Sequence, residues 1–242
     1  VLLANNETGN VYSWNDVLRM KKRLEQFHSK VYLHVDAVQA VGRLDITIPS
    51  FVDFASFSSH KFHGPHGCGF LFCRHPTELQ RDCLLLGGGQ EQQIRPGTHN
   101  VAGALATAHV LHYMQCIDRE SRVAYMLNLK SIFLSALAPF AADGVAKILT
   151  TDSGLCNMLA LCVRSGDKIK MQQTFARHNV CIGVGSACSS GKQSRVLVQM
   201  GVSDIYARGY VRFSWSHLTQ VDECKLAVSV LIDFLRTARV SA

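Results

Sequence analysis

The chain has 242 residues, of which 48% are hydrophobic and 18% are charged, a composition typical of a globular protein with one large or two smaller domains. Its formal net charge is +7 at pH 7, but no basic stripe with interleaved aromatic residues is present, which argues against a nucleic-acid partner. The sequence shows no signal-peptide pattern and no apolar run that we expect to span a bilayer, so we predict no membrane partner.

The nine cysteines argue against two further kinds of site. Their number is odd and no C-x-x-C occurs, so a zinc site or a secreted disulfide framework is not favoured, and we predict no metal. Unpaired thiols favour a reducing compartment. We therefore expect a cytoplasmic protein, with the mitochondrion left open because a targeting segment would lie upstream of Val1.

The first half of the chain predicts an α/β sheet that is largely parallel. A buried strand opens the chain, and Ser13 followed by Asp16 three residues later is typical of a capped helix start. The predicted strands cover residues 1–4, 31–35, 51–56 and 69–73. In such sheets ligands gather at the carboxyl ends of the strands, which is where Asn6, Asp36 and Lys61 fall.

The second half predicts a smaller α+β domain. A helix over 101–114 is followed by a long helix that we expect to stop at Pro139 and to bridge the two domains. Beyond it the pattern alternates, and the last helix has Thr219 as its expected cap. The predicted strands are 158–163, 180–184 and 210–214, and the helices are 167–178 and 194–200. We place the domains at residues 1–118 and 119–242.

Lys61 is the centre of the most informative stretch, SFSSHKFHGPHGCG, residues 56–69. A lysine at a strand end, with hydroxyls before it and glycines after it, is a candidate for a buried amine that forms a Schiff base, because desolvation lowers its pKa. A solvated loop lysine is the alternative, and buried lysines are uncommon.

Asp36, 25 residues earlier in HVDAVQAVG, supplies what the chemistry of pyridoxal phosphate (PLP) needs. An ionised carboxylate keeps the pyridine nitrogen protonated, which makes the ring an electron sink. Gln39 is placed to donate to the ring hydroxyl. The alternative for Asp36 by itself is a helix cap.

A glycine-rich loop, LLLGGGQEQQIRPGTHN at residues 84–100, precedes the helix predicted at 101. Backbone amides, Arg95 and Thr98 near a helix start make a plausible anion site. A flexible connection is equally consistent with this composition.

Six motifs together resemble one family. ANNETGN, HVDAVQAVGR, SFSSHKFHGPHG, GGGQEQQIRPGT, GSACSSG and VRFSWS occur in the order and approximate spacing of NifS-like cysteine desulfurases, in the class V aminotransferase group that also contains selenocysteine lyase. The resemblance implies the carboxyl-terminal part of the large domain of an aspartate aminotransferase-like, PLP-dependent transferase, plus a small α+β domain. The amino-terminal part of the family's large domain, with a phosphate-binding loop and a ring-stacking histidine, is absent, so we expect a fragment.

The resemblance also implies a role for each matching residue. Lys61 corresponds to the Schiff-base lysine, Arg212 to the arginine that binds the substrate carboxylate, and Thr98 to a threonine that reaches the phosphate in the neighbouring subunit, which implies a homodimer. Ser58 and His60 resemble the phosphate-binding pair. The full set of implied cofactor residues is Asn6, Asp36, Gln39, Ser58, His60, Lys61 and Thr98, with Asn6 also near the substrate.

Cys188, in GVGSACSSGK, matches the family's thiolate nucleophile, on a small-residue loop of the kind that an accessible thiolate requires. The implied reaction takes L-cysteine, with Lys61 as the base at the α-carbon and Cys188 as the acceptor of sulfur. Alanine leaves, and the persulfide passes to an acceptor or scaffold protein, as in iron-sulfur cluster assembly. A selenocysteine lyase and an inactive fragment that serves only as an interaction module are the alternatives.

Overall fold

The structure is a computed structural model that describes residues 1–76, 85–185 and 194–240. The chain forms two compact units, and each is made of two segments. Unit 1 comprises Val1–Ala4 and Tyr12–Arg119, and unit 2 comprises Asn5–Val11 and Glu120–Ala242. The short segment 5–11, which opens the chain's first polar loop, thus belongs to the unit formed by the second half.

Unit 1 is built on a three-stranded sheet. Its regular elements are α1 (Trp14–Glu25), β1 (His34–Asp36), β2 (Phe54–Ser58), a 3-10 helix (Ser59–Phe62), β3 (Gly69–Cys73), a second 3-10 helix (Gln90–Gln93) and α2 (Val101–Cys116). The sheet order is β1-β2-β3. The first pair is parallel and the second antiparallel, so the expectation of a largely parallel sheet holds for only one pair of strands.

The predicted elements of unit 1 differ from the observed ones mainly at their ends. Residues 1–4 form an isolated parallel bridge, Leu2 to Asp36, rather than a strand. β1 and β2 each begin three residues later than predicted, whereas β3 has the predicted bounds. The helix start at Ser13 is confirmed, because Ser13 and Asp16 form a complete capping box.

Unit 2 contains an antiparallel sheet packed against helices, which confirms its α+β character. Its elements are α3 (Arg119–Ala142), β4 (Ala146–Ile148), β5 (Met158–Val163), α4 (Lys168–Arg177), α5 (Arg195–Gln199), α6 (Asp204–Ala207), β6 (Tyr210–Ser214) and α7 (Val221–Val240). The sheet order is β4-β5-β6. Every residue of β5 is buried, as expected of the central strand, and Phe133 stacks on Trp215 at 5.3 Å between ring centroids.

Helix α3 does not stop at Pro139 as expected. It continues past Pro139 to Ala142, because a proline in the last turn removes only one intrahelical hydrogen bond. It is also long and apolar enough, by length and composition alone, to cross a membrane. Its buried apolar residues, however, pack in the core of unit 2; they are Met126, Leu129, Phe133, Leu137 and Phe140.

Two further predictions in unit 2 need correction. Residues 180–184 do not form a strand, since only Gly183 bridges to Arg212. The last helix begins at Val221, and Thr219 does not cap it: its hydroxyl accepts from the amide of Ser216. The carboxylate of Glu223 instead accepts from the amide of Gln220 at 2.8 Å, which supplies the capping interaction.

Replacing Ser13 by Ala should lower the free energy of unfolding by about 1 kcal/mol, because the first turn of α1 loses its side-chain acceptor. Urea unfolding followed by circular dichroism measures the change. Asn15→Ala is the matched control, since Asn15 is exposed in the same turn and its side chain makes no hydrogen bond within the described ranges. Equal effects of the two substitutions would contradict the capping role.

Candidate active site

Asp36 and Lys61 follow neighbouring strands of the unit 1 sheet. Asp36 is the last residue of β1, and Lys61 lies three residues after the end of β2. The two strands are parallel, with Asp36 opposite Ser56, so their carboxyl ends meet at one edge. Asp36 is exposed, and its Oδ1 accepts from the amide of Val38 at 3.0 Å. Within the described residues its Oδ2 accepts no hydrogen bond.

A short 3-10 turn presents Lys61 to solvent. Phe62, 1% exposed, anchors the turn in the core, and His63 closes it in the left-handed conformation with φ 71°. The amide of Gly64 donates to the Ser59 carbonyl at 2.9 Å. A Cβ on Gly64 would lie 2.8 Å from the Ser59 Cβ, so the turn requires glycine there.

Lys61 is therefore exposed, and the expectation of a buried amine is wrong in this structure. The core position in the turn belongs to Phe62, the next residue, because an apolar side chain gains more from burial than an amine does. The Lys61 amine makes no ion pair or hydrogen bond within the part of the chain that the structure describes.

Ser59 also ties this turn to helix α2. Its hydroxyl is fully buried and lies 2.6 Å from the hydroxyl of Thr107, which donates to the Gly103 carbonyl at 2.7 Å. The Ser59 hydroxyl thus ties the turn that carries Lys61 to helix α2.

Arg43 joins the turn that follows Asp36 to the turn that carries Lys61. Its Nη1 donates to the backbone and side-chain oxygens of Gln39 at 2.9 and 3.0 Å, and its Nη2 donates to the Lys61 carbonyl at 2.6 Å. Sequence reasoning did not single out Arg43. Its position seven residues after Asp36, in HVDAVQAVGR, was the only available signal.

Ser58 and His60 lie together, as a phosphate-binding pair would. The Ser58 hydroxyl is 2.9 Å from His60 Nδ1, and the His60 ring stacks on His66 at 5.0 Å between centroids. The pKa of His60 is lowered, because loss of hydration disfavours the charged ring and because the positive charges of Lys61 and His66 oppose protonation. His60 is thus neutral at pH 7.

Thr98 lies in the exposed loop before α2. Arg95 Nη1 donates to the carbonyls of Gly97 and Thr98 at 2.8 and 3.2 Å, so this guanidinium stabilises the loop to which it belongs. Within the described residues, neither Arg95 nor Thr98 contacts Lys61 or Asp36.

Unit 2 holds the two predicted substrate residues together. Arg212, on β6, donates from Nη1 to the carbonyl of Asn6 at 2.5 Å, and its Nε is buried without a hydrogen-bond partner within the described residues. Gly183 pairs with the Arg212 backbone. A buried guanidinium donor left unpaired is the form expected of a group that binds an anion. Cys188 lies outside the described residues.

The residues present fit PLP by their chemistry. The sheet edge of unit 1 offers an amine for an aldehyde at Lys61, an unpaired carboxylate oxygen for a pyridinium at Asp36, and a hydroxyl and a neutral imidazole for a phosphate at Ser58 and His60. Each of these groups lies on the segments 34–39 or 58–61, which Arg43 links.

The ring of His60 should titrate below pH 6.5, the ordinary value for histidine, in a nuclear magnetic resonance titration of its Cε1 proton. Lys61→Met removes a positive charge and should move the midpoint up. Lys22→Met, a change of an exposed lysine on α1, should leave it in place. An unchanged midpoint in Lys61→Met would contradict the electrostatic contribution.

The chain was compared with known proteins. A family model described as aminotransferase class-V matches residues 1–226. A cysteine desulfurase of Trichormus azollae is 31% identical over 251 aligned positions, covering 99% of this chain and 58% of that protein. A mitochondrial cysteine desulfurase of Candida maltosa is 29% identical and covers 98% of this chain and 48% of that protein.

Solved structures agree with these matches. A NifS-like protein aligns with a TM-score of 0.82 and 27% identity, over 98% of this chain and 60% of that one. This similarity confirms the predicted fold class. The chain spans about 58% of the length of the first relative above. With the family model matching almost all of its length, the chain belongs to the aminotransferase class-V family.

Proposed function

We propose that this protein is a PLP-dependent cysteine desulfurase. The observation that carries the proposal is that Asp36 and Lys61 follow the same edge of two parallel strands, β1 and β2, with Arg43 donating both to Gln39 after β1 and to the Lys61 carbonyl. The relatives named above, which are cysteine desulfurases, support cysteine as the substrate and do not favour selenocysteine. One of them is mitochondrial, so the proposal allows either the cytoplasm or the mitochondrion.

Five residues of unit 1 would hold the cofactor. Lys61 would attach it through its amine, and Asp36 would pair with its ring nitrogen through the oxygen that is unpaired here. Ser58 and His60 would contact its phosphate, and Gln39 would contact the ring hydroxyl. When bound, PLP withdraws electrons from the substrate α-carbon and so stabilises negative charge there. Thr98 would contact the phosphate of a neighbouring subunit in a homodimer.

The protein's own side chains would do the remaining work. Arg212 binds the α-carboxylate of L-cysteine with the donors that Asn6 does not use, because a guanidinium matches two carboxylate oxygens. Asn6, whose carbonyl accepts from Arg212, would lie near the substrate. The Lys61 amine, which has no competing ion pair within the described residues, takes the α-proton.

The net reaction transfers one sulfur atom. The C–S bond of L-cysteine breaks, an S–S bond forms on Cys188, and a proton takes the place of sulfur on the β-carbon. The products are L-alanine and a Cys188 persulfide, which a sulfur-acceptor or scaffold protein accepts for iron-sulfur cluster assembly or another sulfur-transfer pathway. No outside oxidant is needed, because the β-carbon gains the two electrons that the two sulfur atoms lose when the S–S bond forms.

Lys61→Ala should abolish covalent attachment of PLP and alanine release. Borohydride reduction followed by peptide mass spectrometry locates the attachment, and amino-acid analysis measures alanine formed from L-cysteine. Lys22→Ala, on the exposed surface of α1, should keep both properties. An adduct found on another lysine would overturn the role of Lys61, and a wild-type protein that bound no PLP would favour the interaction module.

Cys188→Ser should bind L-cysteine but form no persulfide and release little alanine, because a hydroxyl does not accept the sulfur. Persulfide is detected as a mass increase of the peptide that contains residue 188. Cys116→Ser, which changes an exposed thiol on α2, is the control and should retain activity. Full alanine release by Cys188→Ser would contradict the assignment.

A further inference from the structure

Four consecutive carbonyls of the segment 5–11 are each held by a different donor of unit 2. The Asn6 carbonyl accepts from Arg212 at 2.5 Å, and the next three accept at 2.5–2.7 Å. Those three donors are Tyr210 Oη to Glu7, Thr150 Oγ1 to Thr8 and the Leu155 amide to Gly9. We call residues 5–10 the anchored loop. Its peptide groups have little freedom to turn away from the strand that holds Arg212.

Tyr210 and Arg212 donate hydrogen bonds to the carbonyls of adjacent residues in this loop. They are two residues apart on β6, so their side chains leave the same face of the strand. Tyr210 is 2% exposed and donates to the Glu7 carbonyl, while Arg212 donates to the Asn6 carbonyl. Burial raises the pKa of Tyr210, so the phenol keeps its proton and remains a donor at physiological pH.

The carboxylate of Glu7 adds a second support to the same peptide. Glu7 is 7% exposed, and its Oε2 accepts from the Ser194 hydroxyl at 2.6 Å. Ser194 also caps helix α5. The backbone and the side chain of Glu7 are therefore both fixed, which leaves the preceding Asn6 carbonyl in one orientation toward Arg212.

Gly183 leaves space beside the remaining donors of Arg212. A Cβ at position 183 would lie 3.2 Å from Nη2, 3.3 Å from Nε and 3.4 Å from Cζ. The backbone of Gly183 is not in the left-handed region, so this position does not need glycine for conformational reasons. A methyl group at position 183 would therefore make tight contacts with Nε and Nη2, the two nitrogens that Asn6 leaves unused.

We propose that Tyr210 and Gly183 are positioning residues for Arg212. They orient its guanidinium so that Nε and Nη2, on one side of the group, can bind the two oxygens of a ligand carboxylate. Tyr210 acts through the Glu7 peptide on the Asn6 carbonyl, which occupies Nη1, and Gly183 keeps Nε and Nη2 clear. The inference rests on the proposed function, in which Arg212 binds the substrate carboxylate. It extends that function to residues that touch no substrate.

Three variants separate positioning from general stability. Tyr210→Phe removes the hydroxyl that fixes the Glu7 peptide. Tyr206→Phe is its matched control, because Tyr206 donates to the Gly144 carbonyl at 2.5 Å, elsewhere in the same unit. Gly183→Ala adds one methyl group beside the Arg212 guanidinium. We expect Tyr210→Phe and Gly183→Ala to weaken binding of a carboxylate ligand about threefold to tenfold, and Tyr206→Phe to leave it unchanged.

The probe is L-alanine, with ethylamine as the analogue that lacks a carboxylate. Titration calorimetry on the PLP-loaded protein gives both dissociation constants. Weaker binding of L-alanine with unchanged binding of ethylamine supports the proposal. Equal weakening of both ligands, or equal effects of the Tyr210 and Tyr206 variants, would mean that these residues serve stability alone and would overturn it.

A second measurement needs neither PLP nor turnover. The Arg212 Nε–H signal in a ¹⁵N spectrum, assigned by its loss in Arg212→Lys, should shift in Tyr210→Phe and Gly183→Ala and stay in place in Tyr206→Phe. Unchanged signals in the first two variants would overturn the proposal. A wild-type protein that releases no alanine from L-cysteine would refute the proposed function alone, whereas Arg212→Lys that binds L-alanine as tightly as wild type would refute this inference.

Discussion

Parallel pairing of two strands is the constraint on which the candidate cofactor residues depend. β1 and β2 run in the same direction, so the loops that follow them begin at one edge of the sheet. Arg43 then fixes the two loops to each other, because its guanidinium donates to the Gln39 carbonyl in one and to the Lys61 carbonyl in the other. An antiparallel pair would send Asp36 and Lys61 to opposite edges, whatever their side chains.

Arg212 depends on a different kind of support. Among the described residues its guanidinium donates to a backbone carbonyl, that of Asn6, and to no carboxylate. Gly183 pairs with the Arg212 main chain. A carbonyl carries no full charge, so it orients the guanidinium without neutralising it. The positive charge therefore stays available for an anionic ligand, which a buried ion pair would have weakened.

Local patterns predicted several elements of the fold correctly, whereas the chemistry of the site stays a prediction. The capping box at Ser13 and the bounds of β5 depend on residues near each other in sequence, and both were predicted correctly. Arg43, Gly183 and Tyr210 were missed, because their importance comes from partners that only the folded chain brings close. The sequence left Lys61 open between a buried amine and a solvated loop lysine, because Phe62 competes for the same interior position and the sequence does not show which side chain enters.

The anchored loop also has a consequence for when unit 2 can fold during synthesis. Its carbonyls pair with groups 142 to 206 positions later in the chain. Pairings of such long range form slowly, since a large loop must close first. During synthesis, residues 5–10 therefore leave the ribosome long before β6 exists. The second unit is therefore completed only after β6 has been made.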